Sequence, residues 1–203
     1  MNLPARIGVL MLVGASLAGC GAIGSLAQGP ADDLGTWRAI PLPPDAQLAA
    51  KAIASGGSCR LDTDPSDGIE APQPRILVQD RRTSDTAAFL VVDDVHFGDC
   101  QVTRGSGGAS GGFGPLLDAI DGPLSIDVSA SGTVGAADAH RLGGRLAIAA
   151  ARVVVQLDNG TNVTASVADG YWLTWWPGTP VARRVVALDA SDTELASLAV
   201  TKP

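Results

Sequence analysis

The C-terminal half of the chain alternates apolar and polar residues in short runs, and this pattern constrains the fold most. Residues 124–131 place Leu, Ile, Val and Ala at every second position, with Ser or Asp between them. Successive side chains of a strand point to opposite faces of a sheet, so a period of two predicts strands with a buried face. Further runs of strand length occupy 153–157, 163–167, 171–176, 181–188 and 195–200.

Turn residues separate these runs. Asp158-Asn159-Gly160 contains Asn-Gly, for which we expect a two-residue hairpin turn with both central residues at positive φ. Asp169-Gly170 predicts a second turn and Ser191-Asp192 a third. Short strands joined by frequent turns, without strand–helix alternation, predict a mainly β fold: an antiparallel β-sandwich or a barrel-like domain.

The N-terminal half predicts one short helix followed by strands. Asp45 can cap a helix over the following ten residues, which Gly56-Gly57 would end. The apolar runs 75–79 and 87–92 have strand length. Residues 105–114 (GSGGASGGFG) are expected to form a flexible surface loop.

Composition limits the class of protein. The chain has 203 residues, of which 46% are hydrophobic and 17% charged, enough for one domain with a hydrophobic core. The formal net charge of −7 makes nucleic acid an unsuitable partner, because binding to phosphates needs clustered basic residues. The arginine pairs 81–82 and 183–184 are expected to be solvated charges at strand edges.

The N-terminus indicates export. Residues 7–18 are apolar or small and follow a short segment with one basic residue, Arg6. This stretch is too short to span a membrane and is typical of a signal peptide. It ends in Leu17-Ala18-Gly19-Cys20, which resembles the lipobox of bacterial lipoproteins. The alternative is an ordinary signal peptide followed by an unrelated cysteine.

The lipobox resemblance implies that Cys20 carries a diacylglyceryl group and that the chain is cleaved on its amino side. Residues 1–19 would then be the signal peptide, 20–36 a lipidated flexible tether, and 37–203 a β-rich extracytoplasmic domain. The protein is therefore expected on the extracytoplasmic face of a bacterial membrane, with the membrane itself as one partner through the lipid.

The two other cysteines predict a disulfide. Exported chains meet oxidising conditions, where an even number of thiols usually pairs. A bond between Cys59 and Cys100 would close a loop of 41 residues and contribute roughly 4 kcal/mol to stability in the chain-entropy model. The alternative is a reactive or metal-binding thiol, with His96 four residues before Cys100.

A second resemblance covers roughly the last sixty residues. Residues 153–178 (VVVQLDNGTNVTASVADGYWLTWWPG) and 181–198 (VARRVVALDASDTELASL) carry two turn glycines, a Trp-Trp pair and a closing turn. They resemble a C-terminal pattern of secreted, uncharacterised β-rich proteins of actinobacterial type. The resemblance implies a β fold and no activity.

The tryptophans are the first candidate binding residues, in a chain that is only 4% aromatic. Period two sends Tyr171 and Trp175 to one face, and Trp172 and Trp176 to the other. One set is expected to fill the core. The other could bind a sugar ring or a partner protein if it is exposed. The alternative is a second packed face, covered by the N-terminal helix or by Trp37.

Four carboxylates within nine residues are a candidate calcium site. Asp62, Asp64, Asp67 and Glu70 surround Gly68, and Ca²⁺ favours oxygen-rich loops. The spacing departs from the EF-hand, so a solvated acidic loop is the alternative.

No residue is assigned a catalytic role. Ser110 lies in a formal G-x-S-x-G match, but the glycine-rich segment makes a chance match expected, and neither His96 nor His140 is placed beside it by the sequence. The sequence therefore favours a non-enzymatic binding or interaction module whose partner is an envelope protein or a glycan. The alternatives are an extracytoplasmic hydrolase that uses Ser110 or an acidic pair, and a calcium-stabilised structural envelope protein.

Overall fold

The structure is a computed structural model that describes residues 33–54, 59, 74–94, 96–105 and 111–201. A 3₁₀ turn at Asp33–Thr36 and helix α1 at Ala46–Ile53 precede twelve strands. The predicted signal peptide and residues 20–32 of the predicted tether lie outside this part of the chain. Leu34, near the end of the predicted tether, packs against the core.

The strands form three four-stranded antiparallel sheets. The first sheet has the order β1-β2-β3-β4, with bounds Arg75–Arg81, Thr86–Val92, His96–Thr103 and Gly111–Pro115. The second sheet has the order β5-β6-β10-β9, with bounds Val128–Val134, Ala137–Arg145, Tyr171–Pro177 and Ser166–Ala168. The third sheet has the order β12-β11-β7-β8, with bounds Glu194–Ala199, Ala182–Leu188, Arg152–Leu157 and Asn162–Thr164.

Three clusters of buried side chains stack the elements into layers. Leu48 and Ala52 of α1 pack on the first sheet beside both disulfide cysteines. Trp175 and neighbouring residues fill the space between the first and second sheets. The third cluster joins the second sheet to the third. The prediction of an antiparallel sandwich with one short helix is confirmed. No helix in the described ranges is long and apolar enough to cross a bilayer.

Helix α1 begins where the sequence predicts. The Asp45 carboxylate accepts hydrogen bonds from the backbone N–H groups of Gln47 (2.9 Å) and Leu48 (3.0 Å). The bond from Leu48 is the largest of the influences that lower the pKa of Asp45. Because these N–H groups have no partner inside the helix, the carboxylate defines its first turn.

The Asn-Gly turn differs from the prediction, whereas the Asp-Gly turn has the expected geometry. Leu157 N donates to Thr161 O at 2.9 Å, and only Gly160 of the three loop residues has positive φ (84°). This is the three-residue hairpin that ends in a left-handed glycine. Asp169 (48°) and Gly170 (79°) both have positive φ and form the two-residue turn between β9 and β10.

Two further expectations need correction. The run 163–167 is not one strand: β8 pairs with β7 in the third sheet, and after Ala165 the chain enters the second sheet as β9. The predicted loop 105–114 is wrong from Gly111 onward, because Gly111–Pro115 forms β4 and pairs with β3. A side chain at Gly111 would overlap the backbone oxygen of Asp99, so glycine permits this close pairing.

Arg82 is fully buried, which corrects the expectation of a solvated charge. Its Nε donates to Asp80 at 2.7 Å, and its Nη1 donates to the backbone oxygens of Arg38 (3.3 Å) and Ala39 (2.7 Å). Its Nη2 donates to the Thr164 backbone oxygen and to Thr174 Oγ1. Since a guanidinium has five N–H donors, every donor of this buried charge has an acceptor.

Asp80 continues this network into the second sheet. Its carboxylate accepts from Ser166 Oγ at 2.7 Å and from the backbone N–H of Trp175 at 3.2 Å, in addition to Arg82. Burial raises the pKa of Asp80, and the Arg82 charge opposes that shift. Strand β9 pairs with β10 only as far as Leu173. The Asp80 carboxylate therefore satisfies the edge of β10 beyond the end of β9.

Replacement of Arg82 by Leu is expected to lower the free energy of unfolding by about 3–5 kcal/mol, because it leaves the buried Asp80 without its cation. Arg82→Lys keeps the charge but loses the five-donor geometry, so an intermediate loss is expected. Arg183→Leu is the control, since the Arg183 side chain is 70% exposed and should change stability by less than about 0.5 kcal/mol. Urea unfolding measures all three variants. Equal effects at positions 82 and 183 would contradict the role of the network.

The predicted Cys59–Cys100 disulfide is present, with a Cα–Cα distance of 5.3 Å and both cysteines fully buried. Reduction is expected to add about 2 Da and to lower stability by roughly 4 kcal/mol in the chain-entropy model. The Cys59→Ser/Cys100→Ser double variant is the control: its melting temperature should be lower and should not respond to reductant. A wild-type melting temperature unchanged by complete reduction would contradict a stabilising bond.

Candidate functional site

Strand β5 is the longest sheet edge without a protective feature in the described residues. Exposed edges offer unpaired backbone groups to other strands, and proteins usually protect them with charges, bulges, prolines or short length. β8 and β9 have three residues each, and β4 has five and ends in Pro115. The pairing of β1 with β2 has a register shift, and so does the pairing of β12 with β11. β12 also begins at Glu194, which forms a salt bridge with Arg184. β5 has seven uncharged residues (VSASGTV), without proline or a register shift inside the strand. A one-residue shift lies before it, between the Leu124–Leu146 bridge and the Val128–Gly143 pair.

The register of β5 fixes which backbone groups face outward. Val134 and Ala137 flank the two-residue turn to β6, and such flanking residues exchange hydrogen bonds with each other. Pairs alternate along an antiparallel ladder, so the N–H and C=O groups of Ser129, Ser131 and Thr133 point away from β6. The side chains of these three residues are exposed.

A first groove of about 440 Å³ lies between the first and second sheets. It is lined by residues 97–99 at the beginning of β3, by residues 112–118, and by residues 127–130. Leu116 and Leu117 add exposed apolar surface, with exposed fractions of 47% and 37%. The groove is open along one side of β5.

Carboxylates give the first groove its charge. Asp99 is bound by Arg141, and Asp127 by Arg145 at 2.8 Å. Asp118 is exposed and forms no salt bridge with a described residue. The hydrogen bond with Asp127 is the largest of the influences that raise the pKa of Arg145, with Asp118 a smaller one. The residues that line the groove include three carboxylates and no basic side chain.

A second groove of about 160 Å³ lies on the other face of β5, between the second and third sheets. The His140 ring stacks on the Trp176 ring with 5.6 Å between centroids, and Ser131 Oγ lies 3.0 Å from His140 Nδ1. Val181 and Val200 belong to its apolar wall. An apolar cleft with a few directed polar groups is typical of a ligand-binding site.

The three candidate tryptophans are buried, with exposed fractions of 0% for Trp172 and Trp175 and 2% for Trp176. The second sheet is covered on both faces, so the alternative of a second packed face describes these residues, and no exposed aromatic face exists here. Trp37 contributes to the cover, because its Nε1 donates to the Trp175 backbone oxygen at 3.3 Å. Trp176 forms part of the wall of the second groove.

The remaining candidates divide into two groups. Cys100 is bonded to Cys59, so the alternative of a thiol site with His96 is wrong; His96 Nδ1 lies 3.3 Å from Asp93 Oδ1 instead. In the part of the chain that the structure describes, no group of three or more His, Cys, Asp or Glu residues could hold a metal ion. Outside the described residues lie the lipidation site Cys20, the calcium candidates Asp62, Asp64, Asp67 and Glu70, and Ser110 of the hydrolase alternative. The lipid anchor, calcium and hydrolase hypotheses therefore stay predictions.

Sequence reasoning missed the buried polar residues beside the first groove. Asp99 and Gln101 project from β3 to Arg141 of β6, and Arg141 Nη1 donates to Gln101 Oε1 at 2.9 Å. These polar side chains occupy buried strand positions that are usually apolar. The sequences of β3 and β6 therefore lack the alternation of apolar and polar residues from which strands are predicted.

Residue-resolved hydrogen exchange tests whether β5 is open. The outward N–H groups of Ser129, Ser131 and Thr133 should exchange faster than those of Ala130 and Gly132, which bond to β6. NMR detection of amide exchange in the monomeric protein separates the two sets. Equally slow exchange of both sets would show that another segment covers this edge.

No protein-family model, curated protein or solved structure matches this chain.

Proposed function

We propose that this protein is a lipid-anchored, extracytoplasmic binding module that takes up an extended protein segment along β5. The observation that carries the proposal is the position of β5: an edge with which no strand of the described residues pairs, with a groove on each of its faces. A segment added beside β5 would gain backbone hydrogen bonds from the edge, and its alternate side chains would enter the two grooves.

The compartment is supported by two features that are independent of the edge. Leu17-Ala18-Gly19-Cys20 resembles a lipobox. The buried Cys59–Cys100 disulfide fits a chain that folds under oxidising conditions. A lipid anchor with more than one acyl chain gives stable membrane attachment.

Intact mass of the protein from its membrane fraction tests the anchor. We expect a chain that starts at Cys20 and carries added acyl mass. Cys20→Ser should abolish the acyl mass and release the protein from the membrane, while Cys59→Ser should leave lipidation unchanged. A native chain without acyl mass would contradict the anchor and leave the β5 site to be judged separately.

Selection from a random nonapeptide library tests binding along β5. We expect peptides that compete with one another and lose binding to Ser131→Pro, because proline removes an outward N–H group without breaking a bond to β6. Ser131→Ala keeps that N–H group and should retain binding. Selected peptides that bind wild type and Ser131→Pro equally would contradict strand addition, as would a library without any binder.

A further inference from the structure

We infer that the segment bound along β5 alternates basic and apolar side chains, with the basic ones in the first groove and the apolar ones in the second. The inference rests on the proposed function and adds the chemical class of the partner. Its basis is that different residues line the two grooves. Strand addition by itself would not require such a difference.

The pleat of the sheet assigns each position of the added strand to one groove. Paired residues in neighbouring strands point to the same face. A residue opposite Ala130 therefore points to the first sheet and enters the first groove, whereas residues opposite Ser129 or Ser131 point to the third sheet and enter the second groove. Both grooves contact Ser129 and Ala130, so consecutive side chains alternate between them.

The first groove favours a cation. Three carboxylates line it, and those of Asp99 and Asp127 are paired with arginines. The exposed Asp118 carboxylate, which forms no salt bridge with a described residue, supplies the negative charge that remains. Leu116 and Leu117 offer apolar surface along which the methylene stem of a lysine or arginine can lie. The net charge of −7 attracts a basic segment over a longer range.

The second groove favours an apolar side chain. Leu142, Val181, Ala182 and Val200 line it, and Trp176 closes one side. The His140 imidazole is held by the Trp176 ring and by Ser131. A volume of about 160 Å³ suits a branched aliphatic side chain better than a hydrated charge.

Three fluorescein-labelled octapeptides test the inference by fluorescence anisotropy: (Lys-Val)₄, (Thr-Val)₄ and (Glu-Val)₄. The first should bind about tenfold more tightly than the second, and the third should not bind, because the charge at alternate positions is attracted or repelled by the first groove. Binding of (Lys-Val)₄ should weaken with added salt. Ser131→Pro should abolish it and Ser131→Ala should not.

Asp118→Asn provides the site-specific variant. Asp192→Asn is the control, since it also removes one exposed carboxylate, but from the turn between β11 and β12, which lines neither groove and where Asp192 pairs with Arg152. Asp118→Asn should weaken (Lys-Val)₄ about fivefold and leave (Thr-Val)₄ unchanged. Asp192→Asn should change neither.

The outcomes separate the inference from the proposed function. Equal binding of all three peptides, or equal effects of the two Asp→Asn variants, would overturn the basic–apolar pattern and leave strand addition intact. Binding of (Lys-Val)₄ that survives Ser131→Pro would overturn both, because charge attraction alone would then explain it. A concentration-dependent dimer that Ser131→Pro dissociates would also overturn the inference, because a second copy would then occupy the edge.

Discussion

The buried Arg82 guanidinium is the contact on which the arrangement of the sheets depends. It binds backbone oxygens of the N-terminal segment and of Thr164 at the corner between β8 and β9, while Asp80 extends its reach to the edge of β10. A buried ion pair gains little net energy over apolar packing, but breaking it leaves an uncompensated charge. We therefore expect the network to determine how these segments are arranged more than to add net stability.

A second buried pair acts on the opposite side of the interface between the first and second sheets. Arg141 of β6 binds Asp99 and Gln101 of β3, and Asp99 also lines the first groove. The two pairs hold the first sheet against both halves of the second. The groove between β4 and β5 lies at this interface, and β5 borders it with an edge that no strand of the described residues pairs with.

The sequence predicted elements well where one residue type decides the local geometry. The Asp45 cap, the Asp169-Gly170 turn and the cysteine pair required no knowledge of distant contacts. Asn159-Gly160 was ambiguous, because a left-handed glycine suits both a two-residue turn and a three-residue turn.

The predictions were wrong where contacts between distant segments bury polar or charged residues that are usually exposed. Arg82 is charged yet buried, since Asp80 and four acceptors from distant segments surround it. Asp99, Gln101 and Arg141 concealed β3 and β6 for the same reason. The alternation of residues assigned the tryptophans to the correct faces of β10. It could not show that the first sheet covers one of these faces and the third sheet the other. The β5 site was likewise invisible, because an edge is a property of the sheet order.

Peptide-induced protection of backbone amides tests most directly whether β5 accepts an extended basic–apolar segment. Amide exchange is measured by NMR with and without saturating (Lys-Val)₄. We expect the outward amides of Ser129, Ser131 and Thr133 to become protected, while the amides of β9, the opposite edge strand of the same sheet, do not change. Unchanged exchange along β5 in the presence of bound peptide, or equal protection of β5 and β9, would contradict strand addition at β5.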